Sequence, residues 1–258
     1  MWELKMWKDK KVACVIPARL QSSRFPRKIL TLLKGKPLIE WVWLAAKKVS
    51  LFDEVVFAID AEETAQVIES FGGKYHMTSI DHPVGTDRLA ELQKRGVIKA
   101  DVWVNWQADG PFINESTIHD LLQSCDRDGA DVWTLKKRIF SEEDILSPDV
   151  PKVVCDAKGK ALYFSRSTLP FYRKVPNGKE KIYYKHVGLY AYSDAGLKKI
   201  STLSPCDLEV IEQLEQLRFL YNGLDVQVHE TQYETLEVDL PEHLAKAESV
   251  MDQKKIYG

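Results

Sequence analysis

The chain is expected to be an α/β protein with a mostly parallel sheet and an inserted β-rich lobe, on three observations. Its first half alternates short apolar strands with amphipathic helices, at the spacing of a parallel sheet covered on both faces. From about residue 131 to about residue 205 the pattern changes to aromatic-rich, strand-like segments separated by turns. Strand and helix patterns then return to the end of the 258 residues, with no internal repeat and no low-complexity linker. Residues 1–258 therefore read as a single domain, long enough to bury a full core, carrying the lobe at roughly 131–205.

Val12 to Ala18 is apolar throughout and reads as a buried strand. Pro37 to Val49 is a helix, with Gly35-Lys36 ahead of it and Pro37 at the first helical position that proline favours. Glu54 to Ile59 is the next strand, after which Asp60 caps a helix that runs to Phe71 and stops at Gly72-Gly73. Lys74 to Thr78 is a short strand, Thr86 to Arg95 a helix, Asp101 to Gln107 a third strong strand and Glu115 to Ser124 a helix. In the lobe, Asp131 to Phe140, Val153 to Asp156, Ala161 to Ser165 and Ile182 to Tyr192 are strand-like. Turns at Ala157-Lys158-Gly159 and Pro176-Asn177-Gly178 predict antiparallel hairpins there. Leu208 to Tyr221 reads as one helix, with Val210, Leu214, Leu217 and Tyr221 on a stripe and Gly223 as its stop. Asp225 to Glu230 and Tyr233 to Val238 read as strands, and Pro241 to Met251 as the closing helix.

A formal net charge of -2 argues against nucleic acid as a partner, which calls for a basic face. Cys14, Cys125, Cys155 and Cys206 lie far apart with no CxxC, the usage of a reduced, cytoplasmic protein. The start MWELKMWKDKK lacks a continuous apolar stretch of secretory type, and no apolar run approaches membrane-spanning length, so no membrane association is expected.

In an open parallel sheet the ligand sits beyond the carboxyl ends of the strands. Three groups fall there. The first is the loop in VIPARLQSSRFPRK, where Arg19, Arg24, Arg27 and Lys28 stand among small residues. Guanidinium forks and approachable backbone N–H groups suit a polyphosphate, although neither a Walker sequence nor GxGxxG is present. A merely solvated basic loop has the same composition. The second and third groups are Gln107-Ala108-Asp109-Gly110-Pro111 and Asp239-Leu240-Pro241-Glu242. Two carboxylates facing a polyphosphate would hold Mg²⁺, which typically takes one or two carboxylates and completes its shell with water and phosphate oxygens. Taken singly, Asp109 also fits a turn former and Asp239 a helix cap.

Thr86-Asp87-Arg88, after Pro83-Val84-Gly85, opens a helix whose N–H groups, with the Thr86 hydroxyl, would meet a nucleobase or phosphate; plain capping is the alternative. Further on, Arg166, Lys185 and Arg218 would suit an acidic substrate, and His186, Tyr190, Glu215 and Gln216 would hydrogen-bond hydroxyls. A core histidine and a solvated acidic face along Glu209, Glu212 and Glu215 account equally for those residue types.

Taken together, IPARLQSSRFPRK, GTDRLAEL, NWQADGPFI, ALYFSRSTLPF, KHVGLYAYS, LEQLRFL and VDLPEHL resemble the 3-deoxy-manno-octulosonate cytidylyltransferase (CMP-Kdo synthetase) family over nearly the whole chain. The resemblance implies a Rossmann-like nucleotidyltransferase domain with an inserted dimerisation lobe, hence a homodimer. It implies transfer of CMP from CTP to 3-deoxy-D-manno-octulosonate (Kdo) for lipopolysaccharide, with Mg²⁺ and release of pyrophosphate. By position, Arg19, Arg24 and Lys28 would grip the triphosphate, and Gln107, Gly85 and Thr86 would lie near the nucleotide. Asp109 and Asp239 would hold the metal, making Arg19, Lys28, Asp109 and Asp239 the catalytic set. Arg166, His186, Tyr190, Glu215 and Gln216 would face the sugar acid. Where the family reads QGDEP, this chain reads Gln107-Ala108-Asp109-Gly110-Pro111. That departure keeps two alternatives in view: transfer to another sugar acid, such as 8-amino-Kdo or a nonulosonate, and a catalytically silent CTP binder.

Overall fold

The computed structural model describes residues 10–22, 25–127, 129–175 and 177–254. Most of the N-terminal stretch MWELKMWKDKK, together with Arg24 and Pro176, lies outside them. The chain divides into two compact units: residues 1–118 with 234–258, and residues 119–233. The division falls inside a helix, Glu115–Leu122, so the second unit takes in the 131–205 stretch and reaches beyond it on both sides.

In the first unit, β1 (Val12–Ala18) is buried at every position. It is followed by a small hairpin of β2 (Leu32–Leu33) and β3 (Lys36–Pro37), then by α1 (Leu38–Lys47). Next come β4 (Glu54–Ile59), α2 (Glu62–Ser70), β5 (Tyr75–Met77), α3 (Gly85–Arg95), β6 (Val102–Asn105) and α4, the dividing helix. β1 pairs in parallel with β4 on one side, Ala13 opposite Glu54 through Ala18 opposite Ile59, and with β6 on the other, Val12 opposite Val102. β4 pairs in parallel with β5. This is the expected parallel sheet, and its strands are apolar on both faces because helices cover both. Trp43 of α1 stacks on Phe57 of β4 with centroids 5.6 Å apart, which fixes the helix on the sheet.

The second unit is β-rich. β7 (Val132–Ile139) runs antiparallel to β10 (Tyr183–Ser193) and parallel to β11 (Val226–Glu230). β8 (Lys152–Cys155) and β9 (Ala161–Ser165) form an antiparallel hairpin through the turn at Ala157-Lys158-Gly159, and β8 also meets β10. Gly159, at φ 82°, lets this turn approach β11, and its carbonyl accepts the Val228 N–H at 2.9 Å. A Cβ there would stand 2.8 Å from the Gln227 amide. Short helices α5 (Glu142–Leu146), α6 (Asp194–Ile200), α7 (Asp207–Glu212) and α8 (Gln216–Tyr221) complete it. The last helix, α9 (His243–Lys254), belongs to the first unit.

Four expectations are corrected. Leu208–Tyr221 is two helices, because Gln213 takes a left-handed conformation at φ 51°. The stripe breaks with it: Leu214 and Leu217 are buried, whereas Val210 and Tyr221 are exposed. Tyr233–Val238 belongs to no strand among the described residues. Its apolar alternation instead seats Leu236 and Val238 against Leu33, Trp41, Phe112 and Met251 in a core built with α1 and α9. Pro37 is the residue before α1, not the first within it. Asp60 does not cap α2, which starts from Ala61; its carboxylate goes to Leu20 and Arg88 instead.

Candidate active site

β1 and β6 end side by side, and the loops that follow them border an open cleft of about 250 Å³ in the first unit. It is lined by Arg19, Gln21, Ser22 and Lys28 after β1, by His82 to Gly85 and Arg88 around the start of α3, by Gln107 to Asp109 after β6, and by Asp239.

The glycine at the start of α3 is sterically required. A Cβ on Gly85 would lie 2.9 Å from Pro17 Cγ, so only a bare Cα lets the helix begin against the end of β1. Val84 stands at the cap position and has no side-chain acceptor to offer, which leaves the positive end of the helix directed at the cleft. Thr86 is fully buried, and its Oγ1 accepts from Asn105 Nδ2 at 3.4 Å. Asn105 Oδ1 accepts from Gln107 Nε2 at 3.1 Å, so one buried amide sets both neighbours. Asn105 escaped the sequence reading, although a lone amide closing an apolar strand was the signal for it. His82, Gln21 and Ser22 carried no such signal.

Lys28 begins a single 3-10 turn, Lys28–Leu30, and Arg27 before it is left-handed at φ 58°. The two cations separate here: Arg27 pairs with Glu63 on the surface, while Lys28 enters the cleft. Lys28 Nζ donates to Asp109 Oδ2 at 2.5 Å and to Asp239 Oδ1 at 2.7 Å. Burial pulls the Lys28 pKa down, but Asp109 and Asp239 outweigh it and hold it above its ordinary value. The segments bearing the carboxylates are tied by the backbone, since the Val238 N–H donates to the Asp109 carbonyl at 2.9 Å. The Asp239 N–H donates to His243 Nδ1 at 3.2 Å. The turn carrying Asp109 is closed internally: Gly110 N–H donates to the Gln107 carbonyl at 3.1 Å and Trp106 Nε1 to the Gly110 carbonyl at 2.9 Å. A Cβ at Gly110 would come no nearer than 3.4 Å to Ile113 Cδ1, so neither space nor backbone demands the glycine that replaces the family's glutamate.

The remaining Asp109 oxygen, Oδ1, is buried without a hydrogen-bond partner, a state that costs free energy unless something else fills it. Among the described residues no group of three or more His, Cys, Asp or Glu side chains could hold a metal. Two carboxylates beside a cationic loop are nonetheless a donor set that suits Mg²⁺, and the orphaned Oδ1 fits such an ion.

In the second unit, His186, Tyr190 and Gln216 form one network. Tyr190 OH donates to Gln216 Oε1 at 3.1 Å, Gln216 Nε2 meets His186 Nδ1 at 3.4 Å, and His186 Nε2 meets Thr134 Oγ1 at 2.9 Å. Loss of hydration pushes the His186 pKa down to about 3, which keeps the ring neutral at physiological pH. Arg166 donates to three main-chain carbonyls, those of Pro148, Glu212 and Gln213, at 2.9, 2.7 and 3.4 Å. The left-handed break at Gln213 frees the last two, so Arg166 braces the junction of α7 and α8. Glu212 adds its carboxylate to Ser165 Oγ and the Arg166 N–H, at 2.7 and 2.8 Å. Glu215 sits at the start of α8, beside Gln216. Arg218, a candidate for an acidic substrate, is spent on a buried two-pronged pair with Glu209, at 2.8 and 2.6 Å.

A parallel sheet, a cationic loop at its carboxyl edge and a carboxylate pair beside that loop define the class, a Rossmann-like nucleotidyltransferase fold. The family model for cytidylyltransferases matches residues 13–253. A 3-deoxy-manno-octulosonate cytidylyltransferase of Thermodesulfovibrio yellowstonii is 43% identical over 248 residues, covering 93% of this chain and 97% of that protein. One from Geobacter metallireducens is 44% identical over 245 residues, covering 92% and 96%. The solved structure of CMP:2-keto-3-deoxy-manno-octonic acid synthetase complexed with CTP superposes with a TM-score of 0.87 at 39% identity, covering 95% of this chain and 99% of that one. A 4-diphosphocytidyl-2C-methyl-D-erythritol synthase from Anaerococcus prevotii, at 13% identity and TM-score 0.62, shares the fold alone. The chain belongs to the cytidylyltransferases and, within them, to the 3-deoxy-manno-octulosonate cytidylyltransferase family.

Proposed function

We propose that this chain transfers CMP from CTP to the anomeric hydroxyl of Kdo, giving CMP-Kdo and pyrophosphate for lipopolysaccharide synthesis, with Mg²⁺ as cofactor, in the cytoplasm and as a homodimer. The observation that carries the reading is the Lys28 ammonium between Asp109 and Asp239, in a cleft bordered by Arg19 and the start of α3. Four cysteines far apart in the sequence, with no CxxC, agree with a reducing compartment. Phe140, Leu162 and Ile211, exposed on the second unit, are apolar surface that a second copy would cover.

The chemistry follows from charge. The anomeric hydroxyl of a 3-deoxy-2-ulosonic acid is a weak nucleophile, and its carboxylate is repelled by the triphosphate. Arg19 and Lys28 offset that repulsion and balance the charge that develops on the leaving pyrophosphate. The positive end of α3, held against β1 by Gly85, acts in the same sense. Bound by Asp109 and Asp239, Mg²⁺ would polarise the α-phosphate and lower the pKa of the attacking hydroxyl. Gln107, oriented by Asn105, borders the nucleotide's cleft. Among the residues that family likeness assigns to the sugar acid, Tyr190 and Gln216 carry groups suited to hydroxyls, and Arg166 supports the break from which Gln216 starts.

The test is pyrophosphate release by the purified chain with Mg²⁺ and Kdo, offering CTP, UTP, ATP and GTP in turn. Release with CTP alone is expected. The changed residues Ala108 and Gly110 favour one second reading, transfer to another sugar acid. CTP-dependent release with 8-amino-Kdo or a nonulosonate, and none with Kdo, would replace the first reading by the second. Binding of CTP with no release for any sugar acid would overturn both in favour of a silent binder.

A further inference from the structure

We infer that Lys28 is an exchangeable internal cation, which fills the divalent-metal position of the Asp109–Asp239 pair and leaves it only when a nucleotide triphosphate offers its ammonium another anion. This rests on the reading of the cleft as a Mg²⁺ and CTP site. Three observations carry it. The ammonium touches both carboxylates, at 2.5 and 2.7 Å, which is where a shared cation would stand. The trio is only partly shielded, at 14%, 17% and 23% side-chain exposure, so the pair is reachable. Asp109 Oδ1 stays buried without a hydrogen-bond partner, so Lys28 leaves part of the carboxylate's binding capacity unused.

Lysine suits such a role better than arginine. Its charge is a compact point on a flexible four-carbon stem, which rotates away without breaking a planar fork of bonds. The pair cannot hold ammonium and metal in one place, and two bare carboxylates in contact repel each other. Lys28 therefore offsets part of the pair's negative charge and competes with a metal arriving alone. A triphosphate in the cleft draws the ammonium to its oxygens and presents its own oxygens to the metal. Metal and nucleotide then bind with positive coupling, and linkage makes that coupling reciprocal.

The test uses Mn²⁺ without nucleotide, followed by loss of the free-ion paramagnetic resonance signal. The unaltered chain should bind Mn²⁺ weakly. Lys28→Gln and Lys28→Met should bind it about tenfold more tightly or better, within the range usual for coupled sites. Adding Asp239→Asn to Lys28→Gln should remove the gain, which locates the ion on the pair. Lys28→Arg keeps a cation in place and should match the unaltered chain. Equal Mn²⁺ affinity with and without Lys28, or a gain that survives loss of Asp239, would overturn the proposal. So would tight Mn²⁺ binding by the unaltered chain, a measurement that needs no variant to fold. These readouts are independent of turnover: a chain that makes CMP-Kdo but shows no such competition refutes this proposal alone, and one that shows the competition but releases no pyrophosphate refutes the enzymatic reading alone.

Discussion

Arg88 and Lys28 are cations of the same unit, each paired with aspartate and each bordering the same cleft, yet one arrangement is closed and the other open. Arg88 is 1% exposed. Its guanidinium donates to Asp60 Oδ2 at 2.7 Å, to Thr78 Oγ1 at 2.7 Å and to the Ser79 carbonyl at 2.9 Å. The other Asp60 oxygen accepts the Leu20 N–H at 2.9 Å, so the pair ties the loop after β1 to α3. Every oxygen of Asp60 is used. In the Lys28 trio one carboxylate oxygen is left over and the cation is a point charge. A saturated pair holds a scaffold in place, whereas an unsaturated one retains capacity for a ligand. The His186 network of the second unit is of the saturated kind, with both ring nitrogens partnered.

The comparison can be broken most sharply at Arg88. Arg88→Ala leaves Asp60 buried beside no cation and should cost about 3–5 kcal/mol of stability by urea unfolding. A cost under 1 kcal/mol would mean that the pair is not structural. Asp109→Ala should do the reverse: pyrophosphate release falls at least about a hundredfold, equivalent to about 3 kcal/mol, while the far-UV spectrum and melting temperature hold, because Asp239 still pairs Lys28. Unchanged turnover would remove Asp109 from the reacting centre.

The third prediction concerns pH. His186 has a pKa of about 3 in the folded chain against 6.5 for an unperturbed histidine. The unfolded chain therefore binds the extra proton first as pH falls. The stability tied to the neutral ring is complete above about pH 6.5 and is lost progressively below it. At pH 5 the loss should be about 2 kcal/mol, and His186→Gln should flatten that part of the stability–pH curve. A curve of unchanged slope in the variant would show that His186 is not the titrating group. The smallest effect is expected at Glu63, whose pair with Arg27 is 41% and 58% exposed. Glu63→Ala should change stability by less than about 1 kcal/mol, with an effect that shrinks further in salt.

Much of this was legible in the residue order. β1, β4 and β9 match their expected bounds, because an unbroken apolar run between turn formers has few other uses. Asp109, Lys28 and Asp239 were readable as a charge pattern at segment ends. What misled was periodicity that served another purpose. Leu236 and Val238 alternate like a strand, yet the alternation matches a helix-lined core. The stripe from Val210 to Tyr221 reads as one helix, yet Gln213 breaks it and the freed carbonyls receive Arg166. Asp60, plausible as a helix cap, is claimed by a more demanding partner in Arg88.

By itself the sequence determined most of the element types, the parallel sheet of the first unit and the residue kinds that can hold a phosphate or a metal. Those depend on local patterning and on chemistry that each side chain carries with it. Only the tertiary structure decided which charges meet. Lys28 and Asp239 stand 211 positions apart, and a backbone bond from Val238 to Asp109 helps bring their segments together. Whether an ion pair is saturated depends on every donor within about 3 Å, and no local pattern in a chain encodes that count.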